Sequence, residues 1–390
     1  MSKSRTESSA YAALGASSAK AGVLNAIGEG STSRYFASPI SDPMGDPNYA
    51  YFLHADGAGT KSIVAYLLYR ETGDVGWFRS LATDSLVMNI DDVACAGGVS
   101  ELVLSNTIGR NRNLIPDEAI AQIIQGYGDA AATLTDLGVE ITLSGGETAD
   151  VGDLVRTLIV DSTLSARVPK TALVDTYRVR AGDLIVGFSS TGQCSFESRP
   201  NSGIGSNGLS LARNTLLSSY HAEQYPEVSD PFLSRSVAYR GPYKVTDALP
   251  ALDMTIGEAL LSPTRSYAPL IKKALGEFGG AIHSLIHCTG GGQTKIKRFG
   301  QRVRFEKEEL FPIPHIFALI QSVGSIPWSE MYAVFNMGHR LEACVEPGAA
   351  SELISLASQF GIAAKVIGRV TSLDGENEVV ISSPHGTFTY

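Results

Sequence analysis

The sequence has little of what builds crosslinks or sulfur-based metal clusters. Its 390 residues include only four cysteines. They lie far apart, at Cys95, Cys194, Cys288 and Cys344, and none belongs to a C-x-x-C pair or has a histidine at zinc-ligand spacing. We therefore expect reduced, structural thiols, which excludes a disulfide framework and a structural zinc site.

Long hydrophobic runs and runs of positive charge are also missing. No segment approaches the about 18 apolar residues of a membrane span, and residues 1–15 lack the apolar segment of a secretory signal. The 31 basic residues are outnumbered by 40 acidic ones, giving a formal charge of −9. We expect a cytoplasmic protein that binds neither membrane nor nucleic acid, and that needs metal ions to bind phosphates.

What the sequence does contain is typical of a well-packed α/β protein. It is 44% hydrophobic and 18% charged, and strand and helix patterns alternate along it. Its length exceeds what one core usually supports. A buried strand restarts at residues 184–188, directly after the polar segment 178–183. This pattern predicts two α/β domains, at residues 1–181 and 182–390.

Hydrophobic periodicity predicts the elements around the polar motifs. In the first half it predicts strands and helices at 49–55 (strand), 80–96 (helix), 101–107 (strand), 116–138 (helix) and 139–143 (strand). In the second half, residues 189–208 are rich in Ser, Gly and Asn and show no apolar periodicity. They predict a long loop that could close over a ligand.

Three acidic motifs carry most of the chemical information. They are D-G-A-G-T-K at 56–61, M-N-I-D-D at 88–92 and S-G-G-E-T-A-D at 144–150. Each lies where an apolar run meets small residues. Carboxylates beside such turns can hold hard cations, while glycines let a phosphate chain approach backbone N–H groups. Together the motifs indicate a Mg²⁺-nucleotide site.

Each motif also has a simpler interpretation. On the predicted helix, Asp84 and Asp91 nearly eclipse, with Asp92 about 80° round. Like charges on one face repel unless cations compensate them, so the alternatives are a metal site and a solvated acidic face. The segment 56–61 could be an ordinary glycine turn with a surface lysine, and 145–148 a strand-to-helix turn with an N-capping threonine.

Further motifs follow in the second half: S-N-G at 206–208, L-S-P-T-R at 261–265, T-G-G-G at 289–292 and E-M-Y-A-V-F-N-M-G at 330–338. In this order, the motifs resemble the aminoimidazole ribonucleotide synthetases, also called phosphoribosylformylglycinamidine cyclo-ligases, of purine biosynthesis. The similarity spans almost the whole chain. The 330–338 element distinguishes the cyclo-ligases from superfamily relatives such as selenophosphate synthetase and thiamine-monophosphate kinase.

The resemblance implies a homodimer of two-domain subunits, with the N-terminal domains paired into a shared β-barrel and ATP in the adjoining cleft. It also implies that ATP phosphorylates the amide oxygen of formylglycinamidine ribonucleotide, that an internal nitrogen closes the imidazole ring, and that phosphate leaves. The alternatives are another ATP-dependent kinase or synthetase of the superfamily and a non-catalytic nucleotide-binding homologue.

Carried over motif by motif, the resemblance implies roles for four sets of residues. The metal ligands are Asp56, Asp84, Asp91, Asp92 and Glu147. The ATP-binding residues are Gly57, Gly59, Thr60, Lys61, Gly145, Gly146, Thr148 and Asn207. The substrate-binding residues are Thr264, Arg265, Gly290, Gly291 and Gly292, where a structural salt bridge is the alternative for Arg265. Asp56, Lys61 and Asp92 are also expected to be catalytic.

The sequence departs from the family pattern in two places. Gly205 stands where many members carry a histidine, after an inserted segment. We predict that the loop 193–206 supplies a replacement polar group, Glu197 before any other; a surface insertion without function is the alternative. Near the N-terminus the family's lysine-bearing helix is poorly matched, with Glu29 in that region and Lys20 as a substitute at different spacing.

Overall fold

The structure is a computed structural model that describes residues 9–16 and 32–390. Lys20 and Glu29 therefore lie outside the described residues. In the described part of the chain, each helix is too short or too polar to cross a membrane.

The first half of the chain forms one five-stranded sheet with helices on one face. Its elements are α1 (Ala10–Ala13), β1 (Ile40–Ser41), β2 (Tyr49–Gly57), α2 (Lys61–Thr72), α3 (Ser80–Cys95), β3 (Leu102–Arg110), α4 (Asp117–Asp136), β4 (Ile141–Asp150) and β5 (Leu158–Pro169). The strand order is β1-β2-β5-β3-β4. Only β3 and β4 pair in parallel, because α4 connects them as a crossover.

One face of this sheet is buried and the other is open. Along β5 buried and accessible residues alternate, and the buried set packs toward α2 and α3. The opposite face carries apolar side chains that keep much of their surface, with Leu53 66% and Val103 39% exposed. A sheet face that leaves apolar side chains such as these open is typical of a surface that pairs with another protein.

The second half forms a seven-stranded mixed sheet. Its elements are β6 (Leu184–Ser189), α5 (Leu209–Leu216), α6 (Ser219–Gln224), β7 (Ala248–Leu249), β8 (Met254–Thr255), α7 (Ile256–Leu261), α8 (Ala268–Phe278), β9 (Ile282–His287), β10 (Val303–Lys307), α9 (His315–Gly324), α10 (Trp328–Val334), β11 (His339–Val345), α11 (Ala350–Gln359), β12 (Ala364–Ser372), β13 (Glu378–Ser383) and β14 (Gly386–Thr389). The strand order of the seven-stranded sheet is β14-β13-β10-β12-β6-β11-β9, and β7 and β8 pair in a separate two-stranded sheet. The mixed α/β class is confirmed, and the division at 181/182 falls between the two sheets.

One local prediction was wrong and one is confirmed. The strand expected at 139–143 runs from Ile141 to Asp150, so the G-G-E-T segment lies within β4 and not in a turn before a helix. Pairing with β3 continues to Asp150, which keeps the segment extended. The expected long loop at 189–208 is confirmed, with one isolated bridge between Gly192 and Asn201.

Helix α3 connects the two halves. It packs on β2 and β5 with one side and on α8 and β9 with another. Asp84 and Asp91 are fully buried as a result. The interpretation of this helix as a solvated acidic face is therefore wrong, and its carboxylates must find partners inside the protein.

Candidate active site

Asp92, near the end of α3, lies between two histidines from different halves of the chain. His287 Nδ1 lies 2.7 Å from one carboxylate oxygen, and His54 Nε2 lies 3.5 Å from the other. Burial alone would raise the pKa of Asp92, but its hydrogen bonds with His287 and His54 outweigh this and hold the pKa well below its usual range. Asp92 therefore stays ionised.

The hydrogen bonds of His287 define its tautomer. Arg340 Nε can only donate, and it lies 3.1 Å from His287 Nε2. The proton of His287 is consequently on Nδ1, from which it is donated to Asp92. His287 has no exposed side-chain surface. Its role in this arrangement is to orient the carboxylate.

His54 is the more accessible imidazole, with 24% of its side chain exposed. Its Nδ1 donates to Asn89 Oδ1 at 2.9 Å. The orientation of this amide is clear, because Asn89 Nδ2 faces the backbone oxygens of Asp56, Ser85 and Ser162. His54 Nε2 is thus directed toward Asp92. Burial lowers the pKa of His54, but the Asp92 carboxylate and the Asn89 hydrogen bond outweigh this and raise it.

Asp56 lies two residues after His54 near the end of β2, on the same face of the strand. It keeps exposed surface, yet desolvation by the surrounding protein raises its pKa, and the Asp92 carboxylate adds to this. Lys295 lies near both carboxylates. Burial lowers the pKa of Lys295, and the negative charges of Asp92 and Asp56 oppose that shift. We call His54, Asp56, Asp92, His287 and Lys295 the Asp92 site.

The Asp92 site suits a magnesium ion that is shared with phosphates. In the described residues, no group of three or more His, Cys, Asp or Glu side chains is arranged as a metal site. Mg²⁺ usually keeps several waters and takes only one or two carboxylates plus substrate phosphates. Asp56 and Asp92 provide two carboxylates; burial raises the pKa of Asp56 and the Asp92 charge adds to this, which a cation near both would offset.

Asp84 and Lys61 lie elsewhere, in an ion pair with each other. Lys61 Nζ lies 2.6 Å from Asp84 Oδ1, and both side chains are fully buried. The same oxygen accepts hydrogen bonds from the Thr264 N–H at 2.8 Å and hydroxyl at 2.5 Å, while Lys61 also donates to the Ser262 carbonyl. This geometry favours a structural role for both residues, in place of the metal and phosphate contacts that the motifs predicted.

Asp91 is also engaged in the interior. Its carboxylate accepts from Ser266 Oγ at 2.7 Å and from the Tyr267 N–H, and it lies 4.0 Å from Arg340. Burial raises the pKa of Asp91, against the opposing charge of Arg340 and the hydrogen bond from Ser266. Asp91 joins α3 to the start of α8 and so fixes the part of α3 that carries Asp92.

The β4 residues Gly145, Gly146, Glu147 and Thr148 are exposed on the edge strand of the sheet. Glu147 lies in one row with Thr107, Asp161 and Gly57, which are successive partners across the strands. Three strand spacings separate Glu147 from Gly57, roughly 14 Å. Glu147 is on the face opposite Asp56, so one chain does not bring the two carboxylates together.

Arg265 was expected to bind substrate and Glu197 to transfer a proton. In the structure the two side chains bind each other. Arg265 donates to both oxygens of Glu197, at 2.9 and 2.5 Å, and to the carbonyls of Ser189, Thr191 and Gly192. All five guanidinium N–H groups are thereby used. Burial would raise the pKa of Glu197, but Arg265 outweighs it and lowers the pKa. The pair holds the 189–202 loop in place.

The loop after β9 has a backbone conformation that requires glycine. Gly290, Gly291 and Gly292 have φ of 55°, 136° and 50°, and a Cβ on Gly292 would lie 2.5 Å from the Phe335 carbonyl oxygen. The loop leads into a 3₁₀ helix, Gly292–Arg298, that carries Lys295. Gly205 also has a positive φ, 69°, and a Cβ there would lie 3.4 Å from Arg340. A side chain at 205 would approach the residue that orients His287.

The motif analysis missed four residues of this region: His54, His287, Lys295 and Arg340. Two of them left a signal in the sequence. His54 shares the inward face of β2 with Ala50 and Phe52, as strand alternation requires. His287 is the last residue of the buried strand β9, just before T-G-G-G, where ligand sites of α/β sheets are common. Lys295 and Arg340 became apparent only from the fold.

Two family models match the chain. Residues 40–168 match the AIR synthase related protein, N-terminal domain, and residues 180–381 match its C-terminal domain. The phosphoribosylformylglycinamidine cyclo-ligase of Methanocaldococcus jannaschii is 30% identical over 325 residues, covering 83% of this chain and 79% of the relative. The enzyme of that name from Carboxydothermus hydrogenoformans is 30% identical over 334 residues, covering 84% and 82%.

Solved structures show the same fold. PurL of T. maritima complexed with FGAR superposes with a TM-score of 0.53 at 15% identity, covering 90% of this chain and 46% of that one. The match to a chain of the HypE–HypF complex has a TM-score of 0.52 at 15% identity, covering 95% and 98%. At this identity the similarity concerns the architecture.

Proposed function

This chain belongs to the AIR synthase related protein family, and on that premise we propose that it uses the Asp92 site for the ATP-dependent cyclisation of formylglycinamidine ribonucleotide to aminoimidazole ribonucleotide. Its relatives with that activity in their name match more than four fifths of the chain. It is accordingly an ATP-dependent ligase of purine biosynthesis. The observation that supports the site is Asp92, an ionised carboxylate held between two histidines beside Asp56 and Lys295.

The reaction has two chemical steps. A phosphoryl group of ATP is transferred to the amide oxygen, which turns a poor leaving group into a good one. The internal nitrogen then attacks the amide carbon, which carries the phosphorylated oxygen. A C–N bond forms, the C–O bond breaks, phosphate leaves and the nitrogen loses a proton. Such reactions depend chiefly on positioning and charge neutralisation.

Asp56 and Asp92 would hold Mg²⁺, which supplies positive charge to the phosphates. Lys295 adds a second positive charge near these carboxylates. His287, fixed by Arg340, keeps the Asp92 carboxylate in one orientation. These roles replace those that the motifs implied for Lys61 and Asp84, which are bound to each other in the interior.

His54 is the residue of the Asp92 site best placed to carry the proton of the closing ring. Its Nδ1 is fixed by Asn89, while its Nε2 is directed toward Asp92 on an accessible side of the cluster. It would take the part that the family assigns to the histidine replaced by Gly205. Glu197 is a weaker candidate, because both its oxygens are bound to Arg265.

A cytoplasmic homodimer completes the proposal. The open apolar face of the first sheet, with Leu53 and Val103, would pair with the same face of a second copy, as a two-fold dimer requires. Glu147, Gly145, Gly146 and Thr148 lie on the edge strand of that sheet. In such a dimer, Glu147 of one copy would approach the nucleotide bound by the other.

The decisive experiment is a product analysis. Purified protein is incubated with ATP, Mg²⁺ and formylglycinamidine ribonucleotide, with an Asp92→Asn variant as control, and the products are identified by mass spectrometry. We expect ADP, phosphate and aminoimidazole ribonucleotide in equal amounts from the wild type. A stable phosphorylated product without ring closure would favour a kinase, and binding of ATP without turnover would favour a non-catalytic homologue.

A further inference from the structure

A cavity separate from the Asp92 site lies beyond the end of β2, away from the histidines of that site. It has a volume of about 780 Å³, large enough for a nucleotide-sized ligand. Gly59 and Thr60, which precede α2, form one wall, and Ser210, Arg213 and Asn214 of α5 form another. We call it the Arg213 cavity.

Arg213 is built into the wall as a buried cation. Its residue is only 6% exposed, and Nη1 donates to the Val228 carbonyl at 3.1 Å and to the Tyr239 hydroxyl. Its Nε is buried and has no hydrogen-bond partner among the residues that the structure describes. An unsatisfied buried donor on a charged group costs free energy unless a ligand supplies an acceptor.

The groups around Arg213 also suit an anion. Thr60 makes no side-chain cap bond to α2 within the described chain; its hydroxyl lies 3.3 Å from Ser210 Oγ in the cavity wall. The N-terminus of the 12-residue helix α2 begins there, and its dipole favours negative charge. Arg156 lines the cavity from the turn between β4 and β5 and is itself exposed.

The acidic residues of the cavity wall do not neutralise its arginines. Glu227 binds the Tyr66 hydroxyl and lies 3.4 Å from Arg70, and Asp230 accepts a hydrogen bond from the Phe232 N–H at 2.9 Å. Both carboxylates therefore have partners of their own. Arg156 Nη1 donates to the Ser229 carbonyl, but neither Arg156 nor Arg213 is paired with a carboxylate among the residues that the structure describes, so both cations are available to a ligand.

We propose that the Arg213 cavity is a phosphate subsite, in which Arg213 and Arg156 bind a phosphate group together with the Thr60 and Ser210 hydroxyls. The inference rests on the proposed function for the identity of the ligand, which carries phosphate in two places: the ribose 5′-phosphate of the substrate and the triphosphate of ATP. The phosphate chemistry is shared, and binding measurements separate the two sources.

The test compares Arg213→Lys and Arg156→Ala with an Arg369→Lys control, an exposed arginine that pairs with Glu306 outside the cavity. Arg213→Lys keeps the charge but loses the planar fork, and Arg156→Ala removes an exposed side chain, so both variants are expected to fold. Calorimetry measures the Kd of three probes: ATP, formylglycinamidine ribonucleotide and the corresponding ribonucleoside without phosphate.

Both cavity variants should raise the Kd of one phosphorylated probe at least about tenfold and leave the ribonucleoside unchanged. Loss confined to the ribonucleotide assigns the cavity to the 5′-phosphate, and loss confined to ATP assigns it to the triphosphate. Unchanged Kd for both probes, or equal loss for the ribonucleoside, overturns the proposal. Turnover by the wild type is recorded separately, so failure of the proposed function and failure of the subsite are distinguishable.

Discussion

Lys61 Nζ and Asp84 Oδ1 lie 2.6 Å apart, and neither side chain has any exposed surface. The pair joins α2 to α3, and its hydrogen bonds with Ser262 and Thr264 extend it into the second half of the chain. Two residues that the motifs assigned to phosphate and metal binding therefore connect the two halves of the molecule. Burial lowers the pKa of Lys61, and the close contact with the Asp84 carboxylate opposes this shift.

Replacing Lys61 by Met should destabilise the protein, because Asp84 would remain buried without its counter-charge. The expected loss in the free energy of unfolding is about 3–5 kcal/mol. Urea denaturation measures it, and a Lys61→Met/Asp84→Leu double variant should recover part of the loss. A Lys61→Met protein that unfolds like the wild type but binds ATP weakly would contradict the structural role.

Changing Asp56 or Asp92 to Asn should weaken Mg²⁺-dependent turnover strongly while leaving the protein folded. Each substitution removes one of the two negative charges that would hold the cation. The measurement is turnover against Mg²⁺ concentration, with circular dichroism to check folding. Asp91→Asn is the matched control, since Asp91 binds Ser266 and Tyr267 and should affect stability more than the Mg²⁺ requirement. A wild-type Mg²⁺ response in Asp56→Asn and Asp92→Asn would remove both from the metal site.

Replacing His54 by Gln should lower kcat for ring closure by about 10²-fold or more, with little change in the KM for ATP. Glutamine keeps the size and a hydrogen bond to Asn89 but cannot carry the proton. Steady-state kinetics with both substrates separates kcat from KM. Equal loss in both parameters would indicate that His54 only shapes the site.

Glu197 should matter for stability at low pH and not for the chemistry. Its folded pKa lies below the ordinary 4.5 because Arg265 stabilises the carboxylate. The contribution is therefore present above pH 4.5 and is lost as the pH falls through the folded pKa. Thermal unfolding from pH 3 to pH 7 should show a smaller acid-dependent decrease for Glu197→Gln than for the wild type. A Glu197→Gln protein of normal stability that no longer closes the ring would restore Glu197 to the mechanism.

The open sheet face should mediate dimer formation. Leu53→Asp and Val103→Asp place charges on that face, and we expect both to shift sedimentation from dimer toward monomer. Met44→Asp is the control: Met44 is 81% exposed but lies between β1 and β2, outside the strands. A wild-type protein that sediments as an active monomer at micromolar concentration would argue against the interface.

Local patterns in the sequence determined the elements and the family. Strand alternation predicted β2, helical spacing predicted α3 and α4, and the lack of periodicity at 189–208 predicted the loop, because each of these follows from neighbouring residues in the chain. Strand β4 ran past its prediction because its extension depends on pairing with β3, and glycines at 145 and 146 carry no local preference that would reveal it. The acidic motifs likewise identified the region of the site from composition and spacing alone.

Only the tertiary structure decided which carboxylates are available. Asp84, Asp91 and Asp92 lie on one helix, yet Asp84 meets Lys61, Asp91 meets the start of α8, and Asp92 meets His287, which is 195 residues away in the sequence. Such partners are brought together by packing between the two halves of the chain. Burial then decides the outcome, since a buried charge must be paired while a partly exposed one remains free to bind a ligand.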